Sequence, residues 1–169
     1  MAVNLSARQL AYAELGADVT DALTAVGLPA SALVLEITET VLVADPATAA
    51  ERLHQLHALG VRLAIDDFGT GYSSLSYLRQ FPIAILKIDR SFVDTISERE
   101  RAPAILRGLL DLGRTLQLET VAEGVEQELQ RNQLRDQQCD LAQGFFFARP
   151  LPPHEVEKLL TRLAPSART

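Results

Sequence analysis

The sequence predicts an α/β fold on a parallel sheet, an incomplete (β/α) barrel of about six βα units. Three observations lead there. Short apolar runs rich in β-branched residues recur at residues 2–5, 33–37, 61–65, 83–88, 118–122 and 141–147, with helix-like stretches between them. Their mean spacing of about 30 residues suits βα units. Polar residues recur near the ends of these runs, as they do in a parallel sheet whose carboxyl edge binds a ligand. A complete barrel takes eight units and typically about 250 residues, so a chain of 169 residues is about two units short.

Each element carries its own signature. In the first run Val3 and Leu5 flank Asn4, and in the second Leu35 and Ile37 flank Glu36. Asp45-Pro46 is a cap and first-turn pair, Ala49, Leu53 and Leu56 mark one helical face, and Gly60 stops that helix. Leu63 and Ile65 precede Asp66-Asp67-Phe68-Gly69-Thr70-Gly71-Tyr72, where two adjacent acids end a buried strand and glycines permit a sharp turn. Leu86 and Ile88 flank Lys87. Ile105, Leu109, Leu112 and Leu116 repeat at helical spacing, Ala122 precedes Glu123, and residues 126–135 form a further amphipathic run. The sixth run reaches Gln143 and Gly144 before Phe145-Phe146-Phe147, aromatics that either fill the core or, beside Arg149, stack on a base. A last helix follows Pro152-Pro153 through Val156, Leu159, Leu160 and Leu163. One domain over residues 1–164 and a disordered tail over 165–169 are expected.

Composition narrows the function. A net charge of −6 with scattered basic residues argues against a general grip on DNA or RNA, and an anionic ligand would then need metal ions. The single cysteine, Cys139, is expected to be a core filler in a reducing compartment. No apolar run approaches the roughly 20 residues of a membrane span and no secretory leader is visible, so membrane contact is not expected and the location is read as cytoplasmic. Either translation starts abruptly at Met1 or the chain is a piece of something longer.

The strand-end residues Asn4, Glu36, Asp66, Asp67, Lys87, Glu123 and Gln143 converge if the sheet is parallel. Two carboxylates about 4 Å apart repel by about 4 kcal/mol at an effective dielectric of 20, so four together call for cations. Oxygen donors with no histidine or cysteine on any strand end suit Mg²⁺ or Mn²⁺, and two such ions suit phosphodiester hydrolysis. Taken singly, Glu36 could be a cap or ion-pair partner and Lys87 a snorkelling lysine; only the joint pattern points to a site. His54 and His57 share a helix face that leaves the strand ends and are read as solvated surface. A dinucleotide-binding reading of Gly69-x-Gly71-x-x-Ser74, with Asp89 beyond it, lacks the third glycine and sets Asp66 and Asp67 against a pyrophosphate.

These residues resemble the EAL domains, which hydrolyse the bacterial second messenger cyclic di-GMP. The resemblance runs through Asn4-Leu5-Ser6, Glu36-Ile37-Thr38-Glu39, Asp66-Asp67-Phe68-Gly69-Thr70-Gly71, Leu86-Lys87-Ile88-Asp89, Glu123-Gly124-Val125-Glu126, Gln143-Gly144-Phe145 and Arg149-Pro150-Leu151-Pro152. It implies a modified TIM barrel that cleaves cyclic di-GMP to linear pGpG with two Mg²⁺ or Mn²⁺ ions. It also implies Asn4, Glu36, Asp66 and Glu123 as metal ligands, with Asp67 serving the second metal and Lys87 holding the attacking water. Lys87, Asp67 and Glu123 are thus the expected catalytic set. Glu39 resembles the anchor of the 67–72 loop, which carries homodimer contacts in the family, while Glu126, Gln143, Arg149 and Pro150 match substrate or supporting positions. The family's Glu-Ala-Leu segment and the arginine after it have no counterpart in this sequence. The chain is therefore expected to be the carboxyl-terminal two-thirds of such a domain, of low or no activity alone; the alternative is a non-catalytic cyclic di-GMP receptor or a dimerisation module.

Overall fold

A computed structural model describes residues 1–70, 80–97 and 103–163 of the chain. Gly71, Tyr72 and Ser74, with the expected tail, lie outside the described residues. Six strands pair in chain order, β1 (Ala2–Asn4), β2 (Val34–Thr38), β3 (Arg62–Phe68), β4 (Ile85–Ile88), β5 (Glu119–Ala122) and β6 (Leu141–Ala142). Every pairing is parallel. The result is a half-barrel with helices on its outer side, the incomplete barrel that the strand count implies.

Local chemistry sets the helix starts. Ser6 and Gln9 form a reciprocal capping box at the start of α1 (Ala7–Leu10), the serine hydroxyl accepting from the Gln9 amide at 3.3 Å and the Gln9 side chain from the Ser6 amide at 3.0 Å. The second helix, α2 (Leu15–Val26), carries Leu15, Val19 and Leu23 against the core. After α3 (Glu39–Ala44), the Asp45 carboxylate accepts from the Thr48 amide at 3.2 Å and Pro46 opens α4 (Pro46–Ala58), whose Ala49, Leu53 and Leu56 are buried as expected. Four helices complete the described chain: α5 (Arg90–Val93), α6 (Ala104–Thr115), α7 (Glu128–Asp136) and α8 (Pro153–Leu163).

Two apolar clusters lie between sheet and helices. Leu35, Ile37, Leu63 and Ile65 anchor the first, while Ile88, Leu106, Leu110 and Leu134 anchor the second. Each fully buried leucine or isoleucine contributes about 1.5–3 kcal/mol by leaving water. Strand parity follows the sequence pattern: Leu35, Ile37, Leu63, Ile65, Leu86 and Ile88 join the helix-side core, which leaves Glu36, Ala64, Asp66 and Lys87 for the inner face. Beside the unpaired edge of β1, an apolar groove of about 610 Å³ runs against α2, lined by Val3, Leu5, Tyr12, Leu15, Val19 and Leu23.

Three expectations need correction. The sixth strand stops at Ala142, short of its expected end at Gln143 and Gly144. A side chain at Gly144 would put its Cβ 2.1 Å from the Val125 carbonyl oxygen, and the Gly144 carbonyl accepts from the Phe147 amide at 3.1 Å in a turn instead of a ladder. Phe145 and Phe147 consequently sit 48% and 50% exposed, and only Phe146 packs on the core. Helix α6 buries a wider face than expected: Leu109, Leu112 and Leu116 pack against the core as the spacing predicts, Ile105 is 64% exposed instead, and Leu106, Leu110 and Gly113 are buried beside them. A Cβ at Gly113 would lie 2.4 Å from Thr120 Cγ2, so the helix approaches β5 closely there. Finally, β3 does not end at Ile65 but carries Asp66 and Asp67 within it.

Candidate active site

The third correction builds the site. Ile65 pairs with Leu86 and Phe68 with Ile88, so three steps along β3 match two along β4, and one extra residue is accommodated as a bulge. In a regular strand Asp66 and Asp67 would face opposite sides of the sheet. Here Ile65 and Phe68 both enter the helix-side core, and the two acids between them turn away from it together. Asp67 takes a left-handed backbone, φ 53°, which aspartate tolerates better than most residues. The Asp66 carboxylate accepts from the Asp67 amide at 3.1 Å, and the Asp67 carbonyl accepts from the Thr70 hydroxyl at 2.8 Å.

Lys87 stands at the centre. Its ammonium donates to Glu36 Oε2 at 2.8 Å and forms ion pairs with Asp66 Oδ1 and Glu123 Oε1, each at 2.9 Å, and the residue is only 5% exposed. One positive charge thus faces three carboxylates. Burial pulls the pKa of Lys87 down, but the hydrogen bonds from Asp66, Glu36 and Glu123 outweigh it and hold the ammonium above its usual value. Burial raises the Glu123 carboxyl, and Asp66 and Glu36 add to this against the opposing effect of Lys87. Asp67 is raised by desolvation and then by the charges of Asp66 and Asp89.

Asp66, Asp67 and Glu123 each present a carboxylate oxygen within 4.8 Å of the other two, a donor set that fits a divalent cation. Asn4 lies level with Glu36 on the neighbouring strand and is exposed. Glu39 opens α3 at 6% exposure, and neither carboxylate oxygen has a hydrogen-bond partner among the described residues. Glu126 pairs with Arg90 at 2.8 Å. Gln143 continues the sheet through its backbone, its amide donating to Ala122 at 2.8 Å and its carbonyl accepting from Val125 at 3.0 Å. The Arg149 guanidinium lies 4.7 Å from the Phe145 ring centre, so it stacks within the chain, and Pro150 is exposed. Among the described residues, no hydrogen bond or ion pair ties Asn4, Glu39, Glu126, Gln143 or Arg149 to the Lys87 cluster.

Sequence reasoning missed Arg90 and the pair Arg62–Glu119. Arg90 also pairs with Asp94 at 3.0 Å, and its side chain lies so close over Gly124 that a Cβ there would be 2.4 Å from Arg90 Cγ. With Gly124 at φ 71°, the turn that follows Glu123 is shaped around that arginine. Arg62 and Glu119 pair across the inner face, although β4 lies between their strands. Their shared parity with Asp66 and Glu123 was the available signal, but the register that aligns them was not.

The EAL domain family model matches residues 1–150. The bifunctional diguanylate cyclase/cyclic di-GMP phosphodiesterase MucR of Pseudomonas aeruginosa is 46% identical over 164 residues, covering 97% of this chain and 24% of that protein. A solved structure of the PaMucR phosphodiesterase in complex with c-di-GMP superposes with a TM-score of 0.85 at 46% identity, covering 92% of this chain and 63% of the other. BlrP1 of Klebsiella pneumoniae, solved with manganese and cyclic di-GMP, gives 0.79 at 34% identity over 88% of this chain and 38% of that one. The chain spans from 19% to 27% of the length of eight curated relatives that it matches. No described helix is long and apolar enough to cross a membrane. Sequence, half-barrel and family model agree: the chain belongs to the EAL domain family.

Proposed function

We propose that the chain supplies the carboxylate-rich wall of a divalent-metal-dependent site that hydrolyses cyclic di-GMP to linear pGpG. The observation that carries this reading is the convergence of Asp66, Asp67 and Glu123 within 4.8 Å. Their hard oxygen donors suit Mg²⁺ or Mn²⁺, and such ions, when bound, polarise a phosphodiester and make water a better nucleophile. Asp66 and Glu123, with Glu36 and Asn4, would hold one ion, and Asp67, turned the same way by the bulge, would reach the second. Lys87 would orient the attacking water, which requires it to release at least one of its three carboxylates. Glu39 would anchor the 67–72 segment, through which a homodimer is proposed, and Glu126, Gln143, Arg149 and Pro150 would line or support the substrate. A cytoplasmic location belongs to the same reading.

The Glu-Ala-Leu segment and its arginine are not in this sequence, so slow turnover or none is expected from the 169-residue chain by itself. Chromatographic assay of cyclic di-GMP with Mn²⁺ measures this directly, and rapid turnover would overturn the expectation. Binding of the dinucleotide without turnover would favour a receptor. Calorimetry of Asp66→Asn tests the site itself: Mn²⁺ affinity should fall at least about tenfold, and an unchanged affinity would remove Asp66 from the ligand set.

A further inference from the structure

Resting on the metal-dependent reading above, we propose that Lys87 is an internal counter-ion that competes with divalent cations for the same carboxylates. The geometry shows the competition. Lys87 draws on Asp66 Oδ1 and Glu123 Oε1, and both residues also belong to the group of acids close enough to hold a metal. The Lys87 ammonium donates to Glu36 at 2.8 Å and lies 2.9 Å from both Asp66 and Glu123, so it occupies the point on which the three acids converge. Three carboxylates gathered around one point on the inner wall repel strongly unless a cation sits among them, and Lys87 is the cation that the chain itself provides.

The arrangement also explains how the wall can be assembled before substrate arrives. Glu36 is 51 residues from Lys87 in sequence, and β3 lies between their strands. The lysine therefore ties together acids from β2, β3 and the end of β5, and sits on the oxygens that a metal would need. A cation entering this wall would have to displace it from Asp66 and Glu123.

Thermal unfolding of the 169-residue chain and its Lys87→Met variant, each in EDTA and in millimolar Mn²⁺, tests the proposal. In EDTA the variant should melt about 10 °C below the native chain. In Mn²⁺ roughly half or more of that loss should be recovered, because the metal then compensates the same acids. Calorimetry should show Lys87→Met binding Mn²⁺ at least about tenfold more tightly than the native chain, which a purely structural lysine would not predict. Equal losses in EDTA and Mn²⁺, or unchanged or weaker Mn²⁺ affinity, would overturn it. Should Lys87→Met fail to fold in EDTA, the double variant Lys87→Met/Glu36→Gln should restore folding if charge is the reason, and failure of that rescue would count against the lysine. A native chain that neither binds Mn²⁺ nor responds to it would sink the metal reading, while the EDTA arm would still decide the charge role.

Discussion

The inner wall of the half-barrel carries two charged groups of opposite design. Toward the amino ends of the strands, Arg62 and Glu119 pair one to one with side chains 40% and 32% exposed. Toward the carboxyl ends, Lys87 meets Glu36, Asp66 and Glu123, one positive charge against three negative, with every side chain less than 20% exposed. The first group is neutral and hydrated. The second has excess negative charge and little water to screen it. Collecting unbalanced acids in that way costs stability, and the imbalance supports the site proposed at the carboxyl end.

Removing the cation at each end should separate them most. Lys87→Met leaves buried carboxylates without compensation and should cost about 3–5 kcal/mol in EDTA, whereas Arg62→Met should cost no more than about 1 kcal/mol. Urea unfolding of both variants measures the difference. Similar losses would mean that the two groups are one kind of structural ion pair.

The acids offer a contrast in sign. Glu36→Gln leaves an amide oxygen that can still accept from Lys87 and reduces the excess charge, so stability in EDTA should hold or rise by up to about 1 kcal/mol. Glu119→Gln only weakens a balanced pair and should lower stability by up to about 1 kcal/mol. Loss of stability in both would show that the carboxyl-end acids are held for the fold and not against it.

What the sequence made legible and what it hid divide along the same lines. Period-two alternation at Leu35/Ile37, Leu63/Ile65 and Leu86/Ile88 announced which faces are buried, and with them the inward set Glu36, Asp66 and Lys87. The shared orientation of Asp66 and Asp67 was not readable, because the bulge exists only in the register between β3 and β4. Nor was the gathering of three acids around Lys87, which depends on acids brought from three other segments. The close approach of Gly113 in α6 to Thr120, and of Gly144 to Val125 where β6 stops, had no sequence signal either. Local pattern specifies which residues alternate; tertiary contact decides where alternation is interrupted.

The smallest effect concerns a carboxylate outside this wall, on the opposite face of β5 from Glu123. Asp140 Oδ2 accepts from the Thr120 amide at 2.8 Å and hydroxyl at 2.7 Å, and these bonds, the amide first, hold its pKa below the usual carboxylate value. The Thr120 donors, with a smaller contribution from the charge of Arg114, thus stabilise this anion, the reverse of the repulsion at Glu123. Because the folded value is depressed, the stabilisation is fully present above the unfolded pKa of about 3.9 and is lost as pH falls through the folded value. Asp140 is exposed, so the effect after solvent screening should stay under about 1 kcal/mol. Asp140→Asn keeps an oxygen that can accept both Thr120 bonds and should leave stability at neutral pH nearly unchanged. Its urea-unfolding free energy should fall less steeply than the native chain's between neutrality and the acid limit of folding, and an identical slope would show that Thr120 gives the anion no preference over the acid.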